Sequence, residues 1–396
     1  MAVRHGYGKI AGTDALVFAY DTGDTRNSYK GEPTTNVLNN NILGQGSGAF
    51  LSSDSIGAYI QLADLTSGYS RFQLPSIPVS SNDTYTWSFE LMSPETITTN
   101  FYFDTNEYSD QFPASNDLSR ASATARVPST MPAGVWQQFS LTVTMKPDLT
   151  GAYTYDFFNM LYPTFQNKKV YYRNMQFEFK NHPTQYAGQG VTRSATQGLL
   201  DLTGNKTIGL SSTSFDTNAQ PAFDGTEEYF DLGSDQVFKT SGGWTVENIV
   251  RYDSVAGGYD NYISPANFIG SDSISYNSWY WSVLSNKLAL WNISPGIWKY
   301  GSTTIQPNRW YHVALVSYDN GTQYQMYLNG VAEGGDHTTY SWNASYSGLR
   351  VRYIGAGQST RRFVNGEIPV TKIYNRALTA AEVRNNYNQY KGRFNL

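Results

Sequence analysis

Trp310-Tyr311-His312-Val313-Ala314-Leu315-Val316-Ser317-Tyr318-Asp319-Asn320-Gly321, continued by Gln323 to Leu328 and Asn329-Gly330, is the stretch on which the fold reading turns. Tyr311, Val313 and Leu315 alternate with His312, Ala314 and Val316, the period of two that sends alternate side chains to opposite faces of a strand. Asp319-Asn320-Gly321 supplies residues that tolerate positive φ, as a tight hairpin turn requires, and Asn329-Gly330 supplies them again. Two hairpins in succession make an antiparallel meander, which needs no helical crossover.

The rest of the chain has the same character. Aromatic residues make up 15% of its 396 residues and charged residues only 15%, and 31 Tyr and 20 Phe stand beside 35 Gly. That composition favours pleated sheets joined by tight turns and predicts an all-β protein. Other strand candidates are Tyr85 to Leu91, Phe101 to Phe103, Trp136 to Met145 and Val170 to Phe179. One helix is expected, at the C-terminus. Thr379 caps it, Glu382 closes a capping box, Leu378 packs on Val383, and Val383, Tyr387 and Tyr390 share a face up to Gly392.

A net charge of -4 provides no basic excess for neutralising phosphates, so neither nucleic acid nor an anionic membrane is expected as a partner. With no Cys, disulfides and thiolate metal sites are excluded, which agrees with assembly inside a reducing cytoplasm. Met1 to Gly8 lacks the apolar stretch of a secretory signal, and no apolar run approaches the roughly 18 residues of a membrane span.

The expected organisation is an extended N-terminal arm over 1–55, a first β-sandwich over 56–185, a linker over 186–200 and a second sandwich over 201–396. Leu16, Val17, Phe18 and Tyr20 form a short strand-like segment in an arm otherwise rich in Gly, Asn, Thr and Ser. They are assigned to assembly, by addition to a sheet edge of a neighbouring subunit or a symmetry copy, the alternative being an arm folded back on its own first sandwich. A weak internal parallel links the halves. Trp87-Ser88-Phe89-Glu90 pairs with Trp244-Thr245-Val246-Glu247, and Trp136-Gln137-Gln138-Phe139 with Trp310-Tyr311-His312-Val313, in the same order.

Ala222-Phe223-Asp224-Gly225, Tyr229-Phe230-Asp231-Leu232, Trp244 to Glu247, Arg309 to Ala314, Tyr327 to Gly330, Asn365 to Ile368 and Ile373 to Val383 together resemble the laminin-G/concanavalin A-like lectin superfamily. The resemblance spans about 195 residues and implies a jelly-roll β-sandwich. It departs from the family where Pro369 replaces an Asp, a change expected to be tolerated at a sheet edge. The first sandwich resembles carbohydrate-binding-module-like jelly rolls.

A second resemblance lies in Asn174 to Glu178, His182 to Thr184, Thr192 to Asn205, Asn386 to Asn388 and Lys391 to Phe394. These runs are similar to segments of tailed-bacteriophage virion proteins that serve as capsid decorations, head fibres or tail components. The resemblance implies a virion protein with other virion subunits as partners, and a homo-oligomer, by analogy a trimer. The alternative is a glycan-binding adhesion module that recognises host or environmental polysaccharide.

Sugar binding needs flat aromatic faces and a few fixed polar groups. The candidates are Trp279, Trp281, Trp291, Trp298, Tyr300 and Trp342, although alternation puts Tyr280 opposite Trp279 and Trp281. No cofactor is expected. A rim calcium site is the one metal reading open to this superfamily, with Asp224, Asp231, Asp235, Asp253, Asp260 and Asp272 available. An enzyme is not expected. The glycosidases that resemble this fold carry Glu-x-Asp-x-Glu or its longer form, which is absent here, and the adjacent Glu227 and Glu228 point to opposite faces if extended. No Gly-x-Ser-x-Gly elbow marks a nucleophile, and His312 reads as an ordinary strand residue.

Overall fold

A computed structural model describes residues 13–38, 43–45, 49–62, 69–73, 77–78, 80–97, 131–144, 152–153, 156–161, 168–254, 269–270, 279–292, 297–318, 323–337, 349–358 and 361–396. Phe101 to Phe103, the Asp319 to Gly321 turn and Trp342 lie outside them. The chain forms two compact units, one of 33–194 with 217–219, the other of 1–32, 195–216 and 220–396. The first unit is therefore inserted within the second.

In the second unit two antiparallel sheets enclose one core. One runs in the order Ser214–Phe215, Pro221–Asp224, Asn365–Tyr374, Trp244–Tyr252, Trp310–Tyr318, Gln323–Leu328, Val331–His337. The other runs Gly209–Ser212, Tyr229–Lys239, Leu349–Ile354, Ile269–Gly270, Trp279–Leu284, Lys287–Asn292, Ile297–Thr304. The alternation read from sequence is what sorts the faces. Tyr311, Val313 and Leu315 belong to the core between the sheets, while Ala314 and Val316 belong to a second cluster with Leu378 and Val383 under the helix. Asn329 and Gly330 take φ of 50° and 74°, the hairpin conformation their sequence predicts.

The N-terminal segment is not an arm. Leu16–Asp21 pairs antiparallel with Asn365–Tyr374 in register Phe18↔Ile373 and Tyr20↔Thr371, and it is the eighth strand of the larger sheet. Phe18 and Tyr20 are fully buried and meet Phe238 and Phe230 edge-to-face. Ala19 is buried with them, while Leu16 and Val17 are half-buried against the same unit. The assembly role assigned to Leu16, Val17, Phe18 and Tyr20 is corrected accordingly, because their apolar area is covered by their own chain. The linker over 186–200 is corrected too. Thr192–Arg193 pairs with Thr34–Thr35, and Leu199, fully buried, bridges to Tyr29.

Asp201 explains part of the Thr192 to Asn205 run. Its carboxylate accepts from the amides of Ala19, Thr203, Asn205 and Lys206 and from the Thr203 hydroxyl, so the run folds as a turn locked to the first strand. Pro369 also stands elsewhere than expected. It lies in a central strand, where the register shifts between Ile249 and Arg251, so the bulge rather than an edge accommodates its missing N–H.

The helix spans Ala380–Phe394 with both capping-box hydrogen bonds formed between Thr379 and Glu382. It passes through Gly392 and ends at Asn395, whose φ of 52° is left-handed. Its buried side chains are Val383, Asn386, Tyr390 and Phe394, the last two packing on Ile249 and Val370 of the sheet.

In the first unit the main sheet runs Ala49–Ser53, Ala58–Leu62, Lys169–Glu178, Thr84–Met92, Gln137–Thr144. Thr84–Met92 is flanked by Gln137–Thr144 and Lys169–Glu178, as Trp244–Tyr252 is flanked by Trp310–Tyr318 and Asn365–Tyr374. The two tryptophan pairs of the internal parallel therefore occupy the same three-strand plan. Trp87 and Trp244 are both buried.

Candidate functional site

The aromatic concentration between 279 and 300 falls on three consecutive strands of the smaller sheet, Trp279–Leu284, Lys287–Asn292 and Ile297–Thr304. Ser285 and Asn286, with φ of 51° and 59°, make the tight turn between the first two. The register then decides which positions share a face. Tyr280 pairs with Trp291, and Trp291 pairs with Trp298; on the next rung Ser282 pairs with Ala289 and Ala289 with Tyr300. Positions 280, 291 and 298 thus form one cross-strand row, with Tyr300 two residues along the edge strand. Strands lie ~4.8 Å apart, so such a row spans about 10 Å, the scale of two linked sugar rings.

The opposite side of the pleat is core. Trp281 is fully buried among Val283, Leu288 and Leu290. Trp281 is therefore removed from the sugar-contacting candidates, because a ring with no exposed face cannot stack on a ligand. Position 279 has the same pleat parity as Trp281. Tyr300 is 37% exposed, whereas Ser282 and Ala289, its partners on the same rung, are buried, so the exposure on this side of the sheet is that of Tyr300 on the edge strand. Tyr280, which alternation had set aside, belongs to the row. The sequence showed the alternation but not the pairing, and only the register joins Tyr280 to Trp291 and Trp298.

At the edge of this sheet, Glu333 of the other sheet accepts from the amides of Ser302 and Thr303 at 2.8 and 2.9 Å and from the Thr303 hydroxyl at 2.6 Å. The carboxylate takes the place of a further strand and holds the edge segment next to Tyr300. Other carboxylates of this unit have similar structural work. Asp224 accepts from the amide and hydroxyl of Thr226, Asp231 accepts from Gly233 N and Arg352 Nε, and Asp253 pairs with Arg251. Glu228 accepts from Ser214 and from Asp224 N, and burial raises its pKa. Among the described residues no three His, Asp or Glu side chains come together as metal ligands, and Asp260 and Asp272 lie outside those residues.

The larger sheet's outer face is closed by the C-terminal helix. Beneath it lie Glu247, His312, Lys372, Tyr374 and Asn386, all buried. Asn386 Nδ2 donates to Glu247 Oε2 at 2.8 Å, and the Tyr374 hydroxyl donates to the same oxygen at 3.2 Å. Burial pushes Glu247 up to about 7, His312 down to about 3 and Lys372 down to about 8. His312 is a strand residue, as its alternation indicates, with Nε2 3.7 Å from Glu247 Oε1.

Residues 224–384 match the family model of the concanavalin A-like lectin/glucanases superfamily, Laminin_G_3. The second unit is accordingly a concanavalin-like jelly-roll domain, lectin-like in class. Similar solved structures include domain 4 of an extracellular arabinanase from Geobacillus stearothermophilus in complex with arabinotriose, at 20% identity and a TM-score of 0.34, covering 49% of this chain and 93% of that domain. A Trypanosoma rangeli sialidase is 13% identical with a TM-score of 0.36, covering 61% of this chain and 43% of the sialidase. The receptor-binding domain of botulinum neurotoxin type G is 17% identical with a TM-score of 0.32, covering 48% of each chain. The chain thus spans less than half of the sialidase and toxin chains. No curated protein matches it.

Proposed function

We propose that the chain is a non-enzymatic structural component of a virus particle, a capsid decoration, head fibre or tail protein of a tailed phage, that displays a polysaccharide-binding lectin-like domain. The binding half of the reading is carried by one observation: the cross-strand row at positions 280, 291 and 298, with Tyr300 of the same pleat parity exposed on the edge strand, in a sheet whose other side is core. Such a row offers stacking surface for sugar rings. The virion half is supported by the resemblance of Asn174 to Glu178, His182 to Thr184, Thr192 to Asn205, Asn386 to Asn388 and Lys391 to Phe394 to phage virion segments. Its partners are then other virion subunits and further copies of the chain, a trimer being the expected state, and its location is the particle.

An array of host-surface polysaccharides probed with the full chain tests the first half. At least one ligand is expected in the millimolar to micromolar range, roughly 4 to 8 kcal/mol. Antibody labelling of particles in electron micrographs tests the second. Glycan binding without particle labelling would identify a free adhesion module instead, and no glycan binding with labelled particles would leave the structural role alone.

A further inference from the structure

The buried polar group under the C-terminal helix is not used by the proposed sugar site. Glu247 and Lys372 are direct cross-strand partners and present their side chains on the same face of the sheet. Asn386 comes down from the helix onto this face, and none of the three is more than 2% exposed. The Asn386 carboxamide nitrogen lies 2.8 Å from Glu247 Oε2 and 3.0 Å from the Tyr374 hydroxyl. Lys372 Nζ lies 4.6 Å from the ring centroid of Tyr390, one helical turn beyond Asn386, so the amine is buried under the same helix as the carboxyl and the carboxamide without a direct ion pair to Glu247. Among the described residues neither Lys372 Nζ nor Glu247 Oε1 has a hydrogen-bond partner. A buried amine left bare in this way is costly unless it loses its charge.

We propose that Lys372 and Asn386 become joined by an intramolecular isopeptide bond, with Glu247 carrying the proton between them. Glu247 takes a proton from the Lys372 ammonium, which leaves a neutral amine beside a neutral acid. The Nζ lone pair attacks Asn386 Cγ, and a new C–N bond forms. The bond from Cγ to Nδ2 breaks, and Nδ2 leaves as ammonia with a proton from Glu247, the oxygen already in contact with it. The second proton lost by Nζ ends on Glu247. Two charged groups and one carboxamide become one neutral amide, one neutral acid and ammonia, with no oxidant or cofactor.

The surroundings favour each step. Burial drives Lys372 toward the neutral amine that a nucleophile must be, and Glu247 toward the acid that a proton donor must be. Tyr374 and Tyr390 line the space and exclude the water that would compete for Cγ. The product would clamp the last helix to a central strand of the sheet.

Mass spectrometry of the denatured full-length chain tests this, followed by a peptide map. Expected is a mass lower than the sequence mass by one ammonia, with a branched peptide linking the Lys372 and Asn386 segments. Lys372→Arg and Glu247→Gln should each restore the lost ammonia. A wild-type protein with both segments recovered as separate unmodified peptides overturns the proposal, as does an ammonia deficit that persists in K372R. If either variant fails to fold, the wild-type peptide map decides alone.

Discussion

Arg393 Nη1 donates to both carboxylate oxygens of Asp21 at 2.7 Å, tying the last turn of the C-terminal helix to the first strand across 372 residues of sequence. Asp21 is 3% exposed, and its Oδ1 also accepts from Gly23 N. Arg393→Ala would strip a buried carboxylate of its countercharge, at a cost on the order of 3 kcal/mol. Denaturant titration of R393A is expected to show a lowered midpoint. An unchanged midpoint would mean that the pair holds nothing together.

The insertion of one unit in the other has a testable consequence. Lys30 N and Gly31 N both donate to Gly198 O, at 2.8 and 3.3 Å, so the chain ends flanking the inserted residues meet inside the second unit. Replacing 33–194 by a short Gly-Ser link should leave that unit folded, with one cooperative thermal transition. Deleting 2–32 should not. It removes Phe18 and Tyr20 from the core, each a loss of about 3 to 5 kcal/mol against a typical total of about 5 to 15. Unaltered melting of the deleted protein would contradict the strand assignment.

His312 makes stability depend on pH. Its folded pKa lies near 3, depressed first by burial and then by Lys372, against about 6.5 in the unfolded chain. The unfolded state therefore binds a proton that the folded state refuses. The stability linked to this group is full above about pH 6.5 and falls away as the pH drops toward 3. His312→Leu should flatten the stability profile of the second unit over that window relative to wild type. Parallel profiles for the two proteins would show that His312 does not titrate differently on folding.

The helix cap gives a local measure. Thr379 Oγ1 accepts from Glu382 N at 3.3 Å, Glu382 Oε2 accepts from Thr379 N at 2.9 Å, and Arg376 binds both Glu382 oxygens. Replacing Thr379 and Glu382 together by Ala should cost about 1 to 2 kcal/mol by denaturant titration. A change within measurement error would mean that packing alone sets the helix start.

What was legible in the sequence was what local rules govern. The alternation of Tyr311 to Val316, the Asn329-Gly330 turn and the Thr379 to Glu382 box all stand in the structure, because each depends on neighbours in sequence. What the sequence concealed depends on distant partners. Leu16 to Tyr20 read as an orphan strand because its partner, Asn365–Tyr374, lies some 350 positions away. Gly392 read as a helix stop, yet burial of Phe394 and the left-handed Asn395 carry the helix past it. Asn386 gave no sign of its buried contacts, since a polar residue on an apolar helix face makes sense only once Glu247 and Tyr374 are seen across from it. For the candidate sugar site, the aromatic density was visible, but which rings share a face needed the strand register.

Binding of the polysaccharide identified on the array, measured by calorimetry for wild type, Trp291→Ala, Trp298→Ala and Trp281→Phe, tests the central claim most directly. The account predicts at least a tenfold loss for W291A and for W298A, about 1.4 kcal/mol or more, with W281F binding as wild type because position 281 faces the core. Full affinity in both W291A and W298A, with the proteins folded, would contradict it.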